Sequence, residues 1–488
     1  MFRLSGWIIG RFCGLKFCEV WRLFAVTGLA AVGAVQSPGV AAVLIVPEPQ
    51  SAAWTSGAVA VGGNSSVRCQ PSTLAREVGV GQWRAWLKDA NAISKPGRIV
   101  LKLSTERIAN GFKWQRPEGY RLSIRDGKVV VEGFDLSGLH YGIQTLLQIA
   151  RQSKDGRLPG VVIEDWPDLP IRAMHICLFR YDERTPNYAY LKALLTKVAD
   201  RAKLNTAVIQ IDWMMEYKTH PEVSRKHALT QKQMKELILA AKQHKVTVIP
   251  QLQLLSHQWS FLGGPHPELM AAKGSETYDP TSPELQRIVS DLVKETLGVF
   301  DGKFIHVGLD EVGKELEGVA ATNSTTAGEL FLQHTLWLRG LAKQQGARML
   351  MWPDKFKEYD PSLKLLDRIP RDVIMCEWQY GKTADFPSLD PFIQRGYEVW
   401  ASGSTKYNPE NAWMLARAAH KRNVRGLMAT TWNSMGTLAH PQEGKSMSGF
   451  ITFGEYGWTA DKPDYAKLPY DPIAMIRQLC PESTWAAK

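Results

Sequence analysis

The chain has 488 residues, 44% hydrophobic and 22% charged, with a formal net charge of +11. This is ordinary globular composition, long enough for one large barrel and a smaller domain. The basic residues form no cluster, which argues against a nucleic-acid partner and for a solvated surface. Six cysteines with no CxxC pair exclude a zinc knuckle or a disulfide framework.

Residues 1–42 read as an export signal. Arg3, Arg11, Lys16 and Arg22 form a long positive segment, and Leu23–Val35 is an apolar run too short to span a bilayer comfortably. Val40, Ala41 and Ala42 suit cleavage, so the expected product is an exported protein, periplasmic or extracellular, with no stable membrane insertion. An uncleaved anchor is the other reading. Cys13 and Cys18 fall in this segment, leaving Cys69, Cys177, Cys376 and Cys480, widely spaced and expected as buried thiols.

Residues 43–168 predict a small α+β domain. Val46–Gln50 is a proline-containing lead-in and Arg98–Ser104 a strand. Tyr120–Arg125 and Lys128–Gly133 predict a hairpin through Asp126-Gly127, a two-residue turn signal. Ser137 then opens a helix with Leu139, Ile143, Leu146, Leu147 and Ala150 on one face.

From 169 to 488 the pattern becomes a regular alternation. Eight apolar runs predict strands: Ala173–Leu178, Ala207–Ile211, Val246–Leu252, Phe304–Leu309, Met349–Trp352, Val373–Trp378, Val399–Gly403 and Leu427–Trp432. Helical patterns lie between most of them. Leu191, Leu194, Leu195, Val198 and Ala202 make one stripe; Thr230 with Gln233 makes a capping box; Ser282-Pro283 starts a third helix. Only Pro391–Arg395 looks helical after the sixth run. Eight such units predict a (β/α)8 TIM barrel behind the α+β domain. A doubly wound sheet is the alternative, but no glycine-rich phosphate loop opens the first unit.

Active sites of such barrels form at the C-terminal strand ends. Those ends carry Asp212-Trp213, Ser256-His257, Asp310-Glu311, Trp352-Pro353-Asp354, Glu377-Trp378-Gln379-Tyr380, Tyr407-Asn408 and Trp432-Asn433. Alternation along KFIHVGLDEV (303–312) puts Phe304, His306, Gly308 and Asp310 on one face, so Asp310 points inward and Glu311 sits at the rim. Two adjacent acids raise each other's pKa, a cost more easily understood if the pair has chemistry to do. Indole faces stack on pyranose C–H surfaces while carboxylates bind hydroxyls, so tryptophan beside acid points to a sugar.

On these residues the chain resembles glycoside hydrolase family 20, the β-N-acetylhexosaminidases. HVGLDEV is similar to that family's His-x-Gly-x-Asp-Glu motif. EGYRLSI, GLHYGIQTLLQ, VIEDWPDLPIRAM, KLNT and TVIPQLQLLSH extend the likeness over nearly the whole mature chain. The resemblance implies a retaining, substrate-assisted, exo-acting hydrolase of terminal N-acetylglucosamine or N-acetylgalactosamine, in which the 2-acetamido oxygen attacks the anomeric carbon. It implies Glu311 as general acid and then base, and Asp310 as the group that orients the acetamido N–H. It also implies Tyr407 on the acetamido oxygen, with Trp352, Trp378 and Trp432 walling the pocket. Arg172 would hold sugar hydroxyls, Asp212 and Asn433 would line the site, and His257 and His306 would lie behind the acids. No metal and no cofactor are implied; the partner is a glycan or amino-sugar substrate.

Departures from the family are visible. Leu309 stands where glycine is frequent. The Trp-x-Glu near the eighth strand reads Trp432-Asn433-Ser434. His-x-x-Asp-Asp is reduced to Gln210-Ile211-Asp212, and Pro-Gly-His becomes Leu255-Ser256-His257. Two other readings are a metal-dependent barrel hydrolase built on Asp212, His257, His306 and Asp310, and an inactive glycan-binding protein on the same scaffold.

Overall fold

The computed structural model describes residues 43–104, 111–178, 188–259, 261–432, 441–462 and 467–481, with backbone alone at 441–444. The expected export signal and Asn433 lie outside the described residues. Val40–Lys488 forms one compact unit. Among the described residues no helix is long and apolar enough to cross a membrane.

The first layer is a six-stranded sheet. Its strands are β1 (Ser51–Ala60), β2 (Val67–Gln70), β3 (Arg98–Leu103), β4 (Tyr120–Arg125), β5 (Lys128–Gly133) and β6 (Arg157–Asp165), in the order β1-β6-β4-β5-β3-β2. The β4–β5 hairpin turns on Asp126 (φ 53°) and Gly127 (φ 69°), the left-handed pair an Asp-Gly turn supplies. Strands β1, β2 and β6 go beyond the sequence reading. β1 is built mostly of small residues and is largely exposed, so it shows no apolar alternation. β6 carries Pro159 and Gly160, which read as turn residues. Pro159 pairs with Ala58, where the β1–β6 register shifts, and such irregularities are where a strand tolerates proline. Helix Leu136–Gln152 covers the sheet with one apolar face; Asp135 rather than Ser137 caps it, accepting from the Gly138 amide at 2.7 Å.

The second layer is the closed parallel barrel. Its strands are β7 (Ile171–Cys177), β8 (Thr206–Gln210), β9 (Thr247–Leu254), β10 (Phe304–Gly308), β11 (Arg348–Met351), β12 (Ile374–Trp378), β13 (Glu398–Gly403) and β14 (Gly426–Ala429), with β14 pairing β7 to close the ring. All eight sequence-predicted runs become barrel strands. Helix Gln231–Gln243 starts on the Thr230–Gln233 capping box, and helix Pro283–Val299 on the Ser282 hydroxyl. The barrel interior holds one small cluster: Ala173, Val208, Ile249, Leu350, Trp352, Ile374, Cys376, Trp400 and Met428. The larger core lies between strands and helices and takes the other face of each strand, including Ile305, Val307 and Leu309. Cys177, Cys376 and Cys480 are buried free thiols, and Cys69 is half-buried.

The two layers meet through buried charge. Lys203 Nζ donates to Asp165 Oδ2 at 2.7 Å and to the Tyr120 hydroxyl at 3.0 Å, with its ammonium 4.2 Å from the Trp458 ring centroid. Asp165 also accepts from the Trp458 indole at 2.7 Å. His140 and His244 each hydrogen-bond one oxygen of Asp200, at 2.7 and 2.9 Å.

Arg172 corrects an expectation. It stands at the start of β7, so its side chain lies at the barrel floor, opposite the strand ends that form the site. It is fully buried, donates to the Lys203 and Leu169 carbonyls, and pairs with Glu118 of the small domain at 2.6 Å. It fastens the two layers and does not reach the mouth formed by the strand ends.

Candidate active site

Strand β10 ends in a tightly bent segment. Gly308, Leu309 and Glu311 all have positive φ, at 71°, 76° and 49°. At Gly308 a side chain is excluded: a Cβ would sit 2.5 Å from Gln253 Oε1. At Leu309, where glycine is frequent in the resembled family, the chain instead holds a buried leucine in the left-handed region. Asp212, Leu255 and His257 are also left-handed, at 36°, 69° and 56°. Backbone strain of this kind collects at functional sites, where neighbouring contacts hold it.

The bend separates the two acids as predicted. Asp310 is 5% exposed, while the Glu311 side chain is 61% exposed at the rim. Gln253 Nε2 donates to Asp310 Oδ1 at 2.6 Å, and Gln251 Nε2 donates to Gln253 Oε1 at 3.2 Å. His175 completes this inward chain at 3.0 Å from Gln251 Oε1. Ser256 Oγ donates to the Asp310 carbonyl. His257 Nε2 stands 3.8 Å from Asp310 Oδ2 and 3.5 Å from Glu311 Oε2, so one imidazole faces both acids.

Burial dominates the electrostatics. It raises the pKa of Asp310, against the pull of His257 and the Gln253 amide; Glu311 adds to the rise. Desolvation therefore falls on the buried Asp310. Asp212 accepts from the Gln253 amide at 2.8 Å and from Gln210 Nε2 at 2.7 Å, yet burial still pushes it up to about 7. The fold thus keeps a proton on Asp212 that the unfolded chain releases near pH 4, so stability falls as pH rises from about 4 to 7. The advantage of Asp212→Asn over the wild type is expected to grow by roughly 2–4 kcal/mol between pH 4 and pH 8. Urea denaturation at both pH values measures it, and a difference that does not change with pH would refute the buried, proton-holding state.

The mouth is a cavity of about 400 Å³ lined by Gln210, Asp212, Trp213, Gln253, His257, Trp259, Asp310, Glu311, Trp378, Tyr380, Tyr407 and Trp432. The Trp378 and Tyr380 rings stack at 5.3 Å, and the Trp432 indole N–H donates to the Tyr380 hydroxyl. Trp352 is fully buried and lies under the site: its ring packs 5.2 Å from Trp432 and 4.4 Å from His306. A pocket of this size, with stacked aromatics and a few convergent carboxylates and amides, suits one pyranose ring.

Two family models match the chain: "Glycosyl hydrolase family 20, domain 2" over residues 42–166 and "Glycosyl hydrolase family 20, catalytic domain" over residues 194–441. The chain belongs to glycosyl hydrolase family 20. Curated relatives are distant. A β-hexosaminidase of Vibrio furnissii is 22% identical over 340 residues, 60% of this chain and 54% of that protein. A lacto-N-biosidase of Bifidobacterium bifidum is 22% identical over 333 residues, 65% of this chain and 28% of that protein. The chain therefore matches about half, or less, of these relatives' own length. Among solved structures, a β-N-acetylhexosaminidase from Bacteroides fragilis shares the fold at TM-score 0.69 and 17% identity, covering 91% of this chain and 96% of that one. A chitobiase of Flavobacterium johnsoniae gives TM-score 0.69 at 19% identity, covering 90% and 72%.

Within this family-20 chain the predicted residues divide into three groups. Asp310, Glu311, Asp212, His257, Trp378, Tyr407 and Trp432 converge on the mouth. Trp352 and His306 lie beneath it: His306 is buried inside the barrel, so it supports the floor and Trp352 is no wall. Arg172 is at the other end. Tyr407 is 63% exposed at the edge, while Tyr380, left out of the expected site, is turned into it. Tyr380 was signalled by its spacing, two residues after Trp378 on the same face. Gln253 was signalled likewise, two after Gln251 in β9. Among the described residues, the group that brings three potential metal ligands together is His140, Asp200 and His244 at the domain contact, and their separations are those of hydrogen bonds. The set Asp212, His257, His306 and Asp310 is not gathered in that way, since His306 points under the floor.

Proposed function

We propose that the chain is an exo-acting β-N-acetylhexosaminidase that removes terminal N-acetylglucosamine or N-acetylgalactosamine with retention of configuration. The observation that carries this reading is the Asp310–Glu311 pair, one acid buried and one at the rim, both facing His257 in an aromatic pocket. Glu311 protonates the glycosidic oxygen as it leaves. The substrate's acetamido oxygen attacks the anomeric carbon, giving an oxazolinium ion and the freed alcohol. Asp310 accepts the acetamido N–H and, as an anion, offsets the charge that develops on the ring. Water then attacks the anomeric carbon from the leaving-group face and passes its proton to Glu311, restoring the acid. A pocket sized for about one pyranose ring supports action at a chain end. Export is part of the proposal and rests on the positive and apolar segments before Val43.

A panel of aryl N-acetyl-β-hexosaminides, with and without EDTA, tests the reaction. Turnover is expected for N-acetyl sugars, absent for the matching plain hexosides, and unchanged by chelation. Proton NMR of the first product is expected to show the β-anomer. Prompt appearance of the α-anomer would overturn retention, and activity lost to EDTA would favour a metal-dependent hydrolase.

A further inference from the structure

We propose that Asp354 is a positioning residue whose carboxylate, just past the end of β11, fixes the main chain of Glu311 on one side and faces the indole of Trp378 on the other. The inference rests on the reading of Glu311 as the working acid. The Glu311 side chain has little to hold it: it is mostly exposed, and His257 at 3.5 Å is its ion-pair neighbour. Its backbone is left-handed at φ 49° without being glycine, a conformation that persists only where neighbours enforce it. The enforcing contact is direct: the Glu311 amide donates to Asp354 Oδ2 at 3.0 Å. The rim acid is thus aimed through its backbone.

The other oxygen of Asp354 sharpens the point. Oδ1 is shut off from solvent and makes no hydrogen bond, and the Trp378 indole N–H is equally buried and unpartnered. The two face each other short of hydrogen-bond geometry, and the indole offsets part of the rise that burial and the nearby Asp310 anion impose on Asp354. An unpaired buried acceptor is destabilising, because it has lost water and gained no donor. A small rotation of Trp378 would join the pair, drawing in the aromatic wall with the same carboxylate that aims the acid. Strand order makes this possible: β11 lies between β10 and β12, so Asp354, three residues past its end and first in the following helix, reaches both neighbours.

Two variants and two readouts test it. Asp354→Ala removes both acceptors; Asp354→Asn keeps a carbonyl oxygen for the Glu311 amide. Turnover of an aryl N-acetyl-β-glucosaminide is expected to fall about 10²-fold in Asp354→Ala, the scale of a misplaced catalytic group, and to recover to within about fivefold of wild type in Asp354→Asn. Hydrogen exchange of the peptide containing Glu311 is expected to speed up in Asp354→Ala and to stay slow in Asp354→Asn. Wild-type turnover in Asp354→Ala, or loss of amide protection in Asp354→Asn, overturns the proposal, and the asparagine measurement stands if the alanine variant does not fold. A wild-type protein inactive on every glycoside but with the protection pattern intact would sink the hydrolase reading and leave the positioning role in place.

Discussion

Replacing Glu311 by glutamine is expected to lower kcat by about 10²–10⁴-fold, the usual scale for loss of general acid–base catalysis. Glutamine has the shape of the acid, and the side chain stands mostly in solvent beside His257, so folding and substrate binding should barely change. KM is therefore expected to hold while kcat falls. The loss should be greatest for a natural disaccharide, whose leaving sugar needs the proton, and smaller for a nitrophenyl glycoside, whose leaving group departs unaided. Near-wild-type hydrolysis of the disaccharide would remove Glu311 from its role.

Asp310→Asn is the second large effect. An anion held in a buried pocket stabilises developing positive charge far better than water does, and removing one such group costs about 10²–10³-fold in kcat. Affinity for a thiazoline mimic of the cyclised intermediate is expected to fall in parallel, and calorimetry would measure it. The pH dependence has a defined sign. Burial raises the pKa of Asp310, so its working anion forms only above the usual carboxylate range, and the acid limb of the rate profile should lie correspondingly high. In the asparagine variant that limb should vanish. Folding behaves oppositely: the raised pKa means the wild type loses stability as pH climbs, and the variant escapes that loss. Unchanged thiazoline affinity would leave Asp310 a structural acid and remove the substrate-assisted step.

The barrel was legible in the sequence because parallel strands buried on both faces must be apolar runs, and the eight runs are separated by helical stripes and caps. The Asp310–Glu311 split was legible for the same reason, since alternation fixes which acid turns inward. Arg172 misled because a motif assigns a residue type and not an end of the strand; two positions into β7 it belongs to the floor. Trp352 misled by a single step: it follows directly on β11 and still turns into the barrel interior, where the Trp432 ring packs against it. Tyr407 and Tyr380 compete for one region, and only the depth of the loop decides between them. The left-handed turn at Leu309 gives no sequence signal at all, because leucine is the wrong residue for it and tertiary contacts impose it. β1 was invisible because its small, largely exposed residues are held by pairing with β6 rather than by burial.

The charges buried between sheet and barrel bear on how the molecule can be divided. Lys203 with Asp165, Arg172 with Glu118, and Asp200 with His140 each draw their members from both layers. Separating the layers would return these charges to water without the partners that now face them, so the sheet and the barrel are joined through paired charge at the barrel floor, away from the mouth.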